Sequence, residues 1–345
     1  MSGLTKKRKR GVLFITLGCI ASLLALLTAF IFLSPLPVSF MIRAAFNKKI
    51  AVAPDNFKEM QNNVEVIKNL NYPSEYKDNF ADIYIPKNQK NQENQENLFP
   101  VILWIHGGAF VGGDKEDIEI YATALASEGF AVVCINYRRA PEAKYPAPVI
   151  QTNDAYLWIK DIALEYSLDI NNFILAGDSA GAHIAAQFAA VQSNQIYADE
   201  MGLAQNIPLH TLKSVLLFCG PYDVSEMQSG NNFIVDFLMG RAAWAYFGKK
   251  DWADDFSYQA TISNHVTSDF PPAFISDGNN LSFEHHARAL ADTLKNKGVL
   301  FETYFIPAGG INSAVAAHEY QFIMNTPSGK ESFNKAVAFL KERIR

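Results

Sequence analysis

The chain has 345 residues, 49% of them apolar and 19% charged, with a formal net charge of −5. That length allows one large domain with an appendage or two ordinary domains, and the apolar share suits a sizeable packed core and excludes a disordered chain. The negative balance excludes a nucleic-acid footprint.

The N-terminus departs from the rest. An unbroken run of Lys and Arg from Lys6 to Arg10 precedes an uncharged, mostly apolar stretch from Gly11 to Leu33. That stretch is long enough to cross a bilayer core as a helix. A cleaved signal peptide has a shorter apolar core and a small-residue cleavage site, whereas Pro35, Leu36, Pro37 and Val38 follow here. The reading is a single-pass transmembrane anchor over 11–33 behind a basic tail over 1–10. A cleaved signal, or a lipoprotein signal at Cys19, is the alternative. Only Arg43, Lys48 and Lys49 follow the span closely, so the positive-inside rule puts the N-terminus in the cytoplasm and the bulk of the chain outside.

Residues 40–78 read as short helical or irregular segments, and the polar tract over 88–98 as a solvated loop. Strand-length apolar runs follow at 80–85, 101–105, 131–136, 172–176, 214–219, 272–276 and 301–306. Helix-length amphipathic stretches lie near 117–128, 149–166, 181–194 and 283–297, with a last one over 330–343. Near-continuous apolar strands alternating with helices predict an α/β fold, a parallel sheet covered on both faces. Residues 222–270 are too long for a plain crossover and carry Phe233, Phe237, Trp244, Tyr246, Phe247 and Trp252. They read as a cap over a site or as an aromatic helix packed on the core. The three cysteines show no metal-ligand or redox spacing and read as buried free thiols; no metal site is expected.

Two glycine-rich turns carry the chemistry. Gly177-Asp178-Ser179-Ala180-Gly181 is a G-x-S-x-G placed between a strand and a small-residue helix. A turn that tight accepts only small residues two before and two after the serine, and it lifts Oγ above the sheet edge as a nucleophile. His106-Gly107-Gly108-Ala109-Phe110 follows strand 101–105 directly. Acyl transfer builds an oxyanion, and glycines let backbone N–H groups approach it. The amides of Gly107, Gly108 and Ala180 are the expected oxyanion hole, with His106 bracing the loop.

The pairing of HGGAF with GDSAG resembles the hormone-sensitive-lipase branch of the α/β-hydrolases, as does Tyr137-Arg138-Arg139-Ala140-Pro141-Glu142 with Tyr145-Pro146-Ala147. The resemblance covers roughly 75–343. It implies an α/β-hydrolase fold: a mostly parallel eight-stranded sheet, a helical cap, carboxylester substrates and no cofactor. The chain would divide into the tail (1–10), the anchor (11–33), a linker and cap segment (34–78) and a catalytic domain (79–345) with 222–270 partly cap. The triad histidine implied is His318. His285 and His286 are rivals at a helix start. The family's acid position, in the turn Gly278-Asn279-Asn280-Leu281-Ser282-Phe283, falls on Leu281, which cannot orient an imidazole. Asp223, Glu284 and Asp277 are the carboxylates that could replace it, with Asp223 the first choice; a bare Ser–His dyad is the remaining case. The expected activity is cleavage of a small-molecule ester through an acyl-enzyme on Ser179. The alternatives are a weakened homologue that binds a small hydrophobic ligand, or an amidase or formamidase on the same scaffold.

Overall fold

The computed structural model describes residues 2–46, 51–87, 98–228, 232–306 and 316–344. The polar tract expected as a loop lies almost wholly outside them. The chain begins with α1 (Ser2–Leu33), α2 (Leu36–Phe46), α3 (Phe57–Asn62), β1 (Val64–Asn71), β2 (Phe80–Pro86) and β3 (Phe99–Ile105). It continues through α4 (Glu119–Ser127), β4 (Ala131–Ile135), α5 (Ala147–Ile162), β5 (Leu168–Asp178), α6 (Ala180–Ser193), α7 (Gln195–Met201) and β6 (Leu212–Phe218). The remainder is α8 (Phe233–Phe247), α9 (Trp252–Ala260), β7 (Ala273–Asp277), α10 (Glu284–Asn296), β8 (Phe301–Phe305) and α11 (Pro327–Arg343).

Eight strands form one sheet in the order β1-β2-β4-β3-β5-β6-β7-β8. From β4 to β8 every pairing is parallel, while β1–β2 and β2–β4 are antiparallel. The central strands are buried on both faces, which is why they read as unbroken apolar runs. Val101, Leu103, Val133 and Leu175 pack with α5 and α6 on one face; Ile102, Trp104, Val132 and Ile174 pack with α4 and α11 on the other. The parallel strands end on one edge of the sheet, where sites of open α/β sheets form.

Strand β1 corrects the reading of 40–78 as helical or irregular. It sits on the antiparallel edge with only Val64 buried, so it lacks the apolar run that marks the inner strands. Residues 222–270 hold α8 and α9; Tyr246, Phe247 and Trp252 are buried in the main core, as the packed-helix alternative expects, and α2 packs on α8. Arg43 of α2 fastens that layer to the body. Its guanidinium pairs with both carboxylate oxygens of Glu142 (2.8 and 2.7 Å) and donates to the carbonyls of Val111 (2.6 Å) and Ala140 (2.7 Å). The guanidinium holds the Glu142 carboxyl down to about 2. Arg43→Ala should therefore loosen α2 over α8, and faster protease cleavage between 34 and 57 is the expected readout, with cleavage elsewhere unchanged.

Helix α1 includes a segment, Arg10–Leu33, long and apolar enough to cross a membrane. The side chains of Arg10–Leu33 project from the rest of the chain, apart from the C-terminal end, where Phe32 packs against Phe237 of α8 and Arg241 donates to the Phe32 carbonyl at 3.1 Å. Cys134 and Cys219 are buried as expected; Cys19 is exposed on α1, against expectation.

Candidate active site

Strand β5 ends at Asp178 and α6 begins at Ala180, so Ser179 makes the turn alone. Its backbone sits at φ 50°, ψ −120°, a conformation an L-residue adopts only under surrounding constraint. The flanking glycines supply that constraint. A Cβ on Gly177 would lie 2.4 Å from the Gly181 carbonyl oxygen, and one on Gly181 would lie 2.0 Å from that of Ile105. Ser179 N–H donates to the Phe218 carbonyl at 2.7 Å, locking the turn to β6. Oγ thus stands over the N-terminus of α6, whose free amides and dipole favour developing negative charge.

His318 comes from the loop before α11. Its Nε2 lies 3.0 Å from Ser179 Oγ. Desolvation lowers the imidazole's pKa, so it stays neutral and able to accept a proton. Phe283 packs edge-on against the ring at 5.6 Å. His285 and His286 do not reach Ser179: His286 Nδ1 accepts the Asp223 amide at 3.0 Å and His285 faces Glu226 at 3.9 Å.

The loop after β3 departs from expectation at one residue. Gly107 N–H donates to Asp178 Oδ2 at 2.8 Å, so that amide braces the turn and is not presented to a substrate. Trp104 Nε1 donates to the other carboxylate oxygen at 2.8 Å. Glu319, buried beside Asp178, is held protonated by desolvation and by that neighbouring carboxylate, and it shares a hydrogen bond with Asp178. The amides of Gly108 and Ala180 donate no hydrogen bond among the described residues, which leaves them available to an oxyanion. Gly108 needs its missing side chain: at φ +114°, a Cβ would lie 2.3 Å from the Gly112 carbonyl oxygen. His106 braces the loop as expected, stacked on Tyr137 at 4.5 Å with Nδ1 2.7 Å from the Gly107 carbonyl oxygen.

The carboxylates sort clearly. Asp223, the first choice for the acid, does not contact His318. Its Oδ1 accepts from the Ser225 amide (2.9 Å), the Ser225 hydroxyl (2.6 Å) and the Thr261 hydroxyl (3.2 Å), the work of a turn cap. Glu284 pairs with Arg288 one helical turn on. Leu281 is exposed, at φ 50°. Asp277 is buried at the end of β7 and accepts a hydrogen bond from Ser282 Oγ, which in turn lies 2.8 Å from His318 Nδ1. The residues that sequence reading missed are therefore Ser282 and Glu319. The one signal for Ser282 was a hydroxyl next to the position where an acid was expected.

A cavity of about 570 Å³ opens beside this cluster, lined by Met227, Val235, Leu281, Ser282 and Phe283 among others. It lies between the start of α8 and the turn after β7. Its size is that of a small-molecule site.

The BD-FAE family matches residues 81–287 of the chain. Esterase LipI of Mycobacterium tuberculosis is 38% identical over 252 residues, 70% of this chain and 72% of that protein. Carboxylesterase NlhH of the same organism is 28% identical over 71% of this chain and 74% of its own length. Probable carboxylic ester hydrolase LipM is 28% identical, and the chain spans only 45% of its length. Among solved structures, esterase B from Lactobacillus Rhamnosis superposes with a TM-score of 0.74 at 20% identity, covering 90% of this chain and 96% of that one, which speaks for the fold. With the elbow serine, its histidine and the sheet already in place, these matches show that the chain belongs to the BD-FAE family and is a carboxylesterase-like α/β-hydrolase.

Proposed function

We propose that this protein hydrolyses small carboxylic esters through an acyl-enzyme on Ser179, while held at a membrane by α1. The observation that carries this reading is the pairing of a strained elbow serine with a neutral imidazole, Ser179 Oγ to His318 Nε2, at 3.0 Å. Ser179 Oγ attacks the acyl carbon as its proton passes to His318 Nε2. The tetrahedral oxyanion is received by the amides of Gly108 and Ala180 at the N-terminus of α6. His318 then gives the proton to the leaving alkoxide, and water repeats the sequence on the acyl-enzyme. The cavity bounded by Met227, Val235 and Phe283 accommodates an apolar portion of the ester. Each step uses protein groups and water, so no cofactor enters the mechanism.

A fluorophosphonate probe tests the nucleophile. One equivalent should attach covalently, and peptide mapping should place it on Ser179. Labelling of another serine, or none in folded protein that hydrolyses p-nitrophenyl butyrate, would remove the assignment.

The membrane part of the reading rests on the apolar segment Arg10–Leu33 and the Lys6–Arg10 run before it. We expect the protein to stay in the pellet through a carbonate wash, and protease added outside intact cells to digest the catalytic domain. Release as a soluble, N-terminally shortened chain would mean a cleaved signal instead.

A further inference from the structure

We propose that the acid function of this site reaches His318 through a hydroxyl: Asp277 acts on the imidazole by way of Ser282, giving the chain Asp277–Ser282–His318–Ser179. This inference rests on the hydrolase reading above and supplies the acid that Leu281 cannot.

With Asp277 ionised, its carboxylate can only accept, and that orders the donors one way. Ser282 Oγ donates to Asp277 Oδ1, so its lone pairs face His318 Nδ1, 2.8 Å away. Nδ1 must then carry the proton and donate it to Ser282 Oγ. Nε2 is left unprotonated and accepts from Ser179 Oγ at 3.0 Å. A general base needs that tautomer. When Ser179 gives up its proton, the imidazolium formed is stabilised along the same line, with the hydroxyl dipole polarised by the carboxylate behind it. The proton on Nδ1 stays there, the one taken from Ser179 leaves with the alkoxide, and Asp277 and Ser282 end each half-reaction as they began. Both are positioning residues.

The carboxylate and the imidazole lie within 4.8 Å of each other yet form no direct hydrogen bond or ion pair. That gap fits one hydroxyl. The fold maintains it by lacing the turn after β7 to the residues before His318. Asn279 N–H donates to the Ala316 carbonyl at 3.0 Å, Asn280 bridges to Ala317, and a Cβ on Gly278 would lie 2.3 Å from the Ala317 carbonyl oxygen. Leu281, pointing to solvent at φ 50°, is the residue that lets the turn present Ser282 inward.

A pH signature follows. Burial pushes the Asp277 carboxyl up to about 7. The titratable groups facing it are Cys219 and Tyr222 after β6, Glu284 at the start of α10, and His318 and Glu319 before α11. Once protonated, Asp277 donates to Ser282, Ser282 donates to Nδ1, and the imidazole proton moves to Nε2, the tautomer that cannot accept from Ser179. Activity should therefore fall as pH drops through about 7, while His318 itself is still neutral.

The test is steady-state hydrolysis of p-nitrophenyl butyrate by the full chain in detergent, with circular dichroism to establish folding. We expect Ser282→Ala and Asp277→Asn each to lower kcat/KM by up to about 10⁴-fold, the loss that an acid-to-amide change causes in a known triad. The double variant should fall little further than either single one, because both break one chain. Ser282→Thr, which keeps the hydroxyl, should recover most of the activity, and Ser282→Ala should lose the acid limb near pH 7. Asp223→Asn should stay near wild type. Wild-type activity in Ser282→Ala overturns the proposal, whether or not Asp277→Asn is impaired. Strictly additive losses overturn it too. Wild-type protein that neither hydrolyses the ester nor takes a fluorophosphonate at Ser179 overturns the hydrolase reading itself, and this proposal with it.

Discussion

Ser179→Ala is expected to lower kcat on p-nitrophenyl butyrate by about 10⁶-fold, or about 8 kcal/mol of transition-state stabilisation, with KM changed little. The substitution removes one atom that nothing else replaces. Alanine bears the same backbone strain at φ 50°, ψ −120° as serine, and the glycines that enforce the turn are untouched. The folded protein should keep its helices α8 and α9, its cavity and the amides of Gly108 and Ala180. Those amides still polarise a bound ester, so a residue of roughly 10³-fold over water should survive. His318→Ala should cost about as much, and the double variant scarcely more, because a nucleophile and its base act as one unit. Initial rates across the four proteins give the result. A His318→Ala variant that retains near wild-type kcat would show that another group takes the Ser179 proton.

The parts of this site that could be read from sequence are those set by local backbone geometry. A serine between glycines at a strand–helix junction has one workable arrangement, because Gly177 meets Gly181 and Gly181 meets Ile105 across the turn. The inner strands were equally legible, since burial on both faces demands an unbroken apolar run. What depended on distant partners was not. Gly107 looks like an oxyanion donor until Asp178 is seen to take its amide. Asp223 looks like a displaced acid until Ser225 and Thr261 are seen to occupy it. Ser282 meets His318 across 36 positions of sequence, through a loop whose register no local pattern encodes. Strand β1 escaped for another reason: it lies at the exposed edge of the sheet with only Val64 buried, so its mostly polar residues read as irregular chain.

Lys115→Met should destabilise the fold by about 3–5 kcal/mol, while leaving kcat close to wild type. Lys115 lies beyond the Gly107–Gly108 loop with its side chain only 3% exposed, and its Nζ is 3.0 Å from Asp82 Oδ1, whose side chain is wholly buried on β2. Asn69 joins both, its amide donating to Asp82 Oδ1 at 2.7 Å and its Oδ1 accepting from Lys115 Nζ at 3.0 Å. The network pins the loop to the antiparallel edge of the sheet, next to the β1 register shift between Ile67 and Leu70. Methionine fills the lysine's volume but leaves the Asp82 carboxylate buried without its cation, and Asp82 Oδ2 has no hydrogen-bond partner among the described residues to offset that. The cost is that of a stranded charge, which differs from the net worth of the pair. Replacing both partners, Asp82→Leu with Lys115→Met, should therefore recover most of the loss. Urea unfolding in detergent, followed by the summed tryptophan fluorescence, measures it; of the four tryptophans, Trp104 is buried in the core beside Tyr121 at 5.3 Å. If the double variant is no more stable than Lys115→Met, the ion pair contributes attraction in its own right, and the stranded-charge account fails.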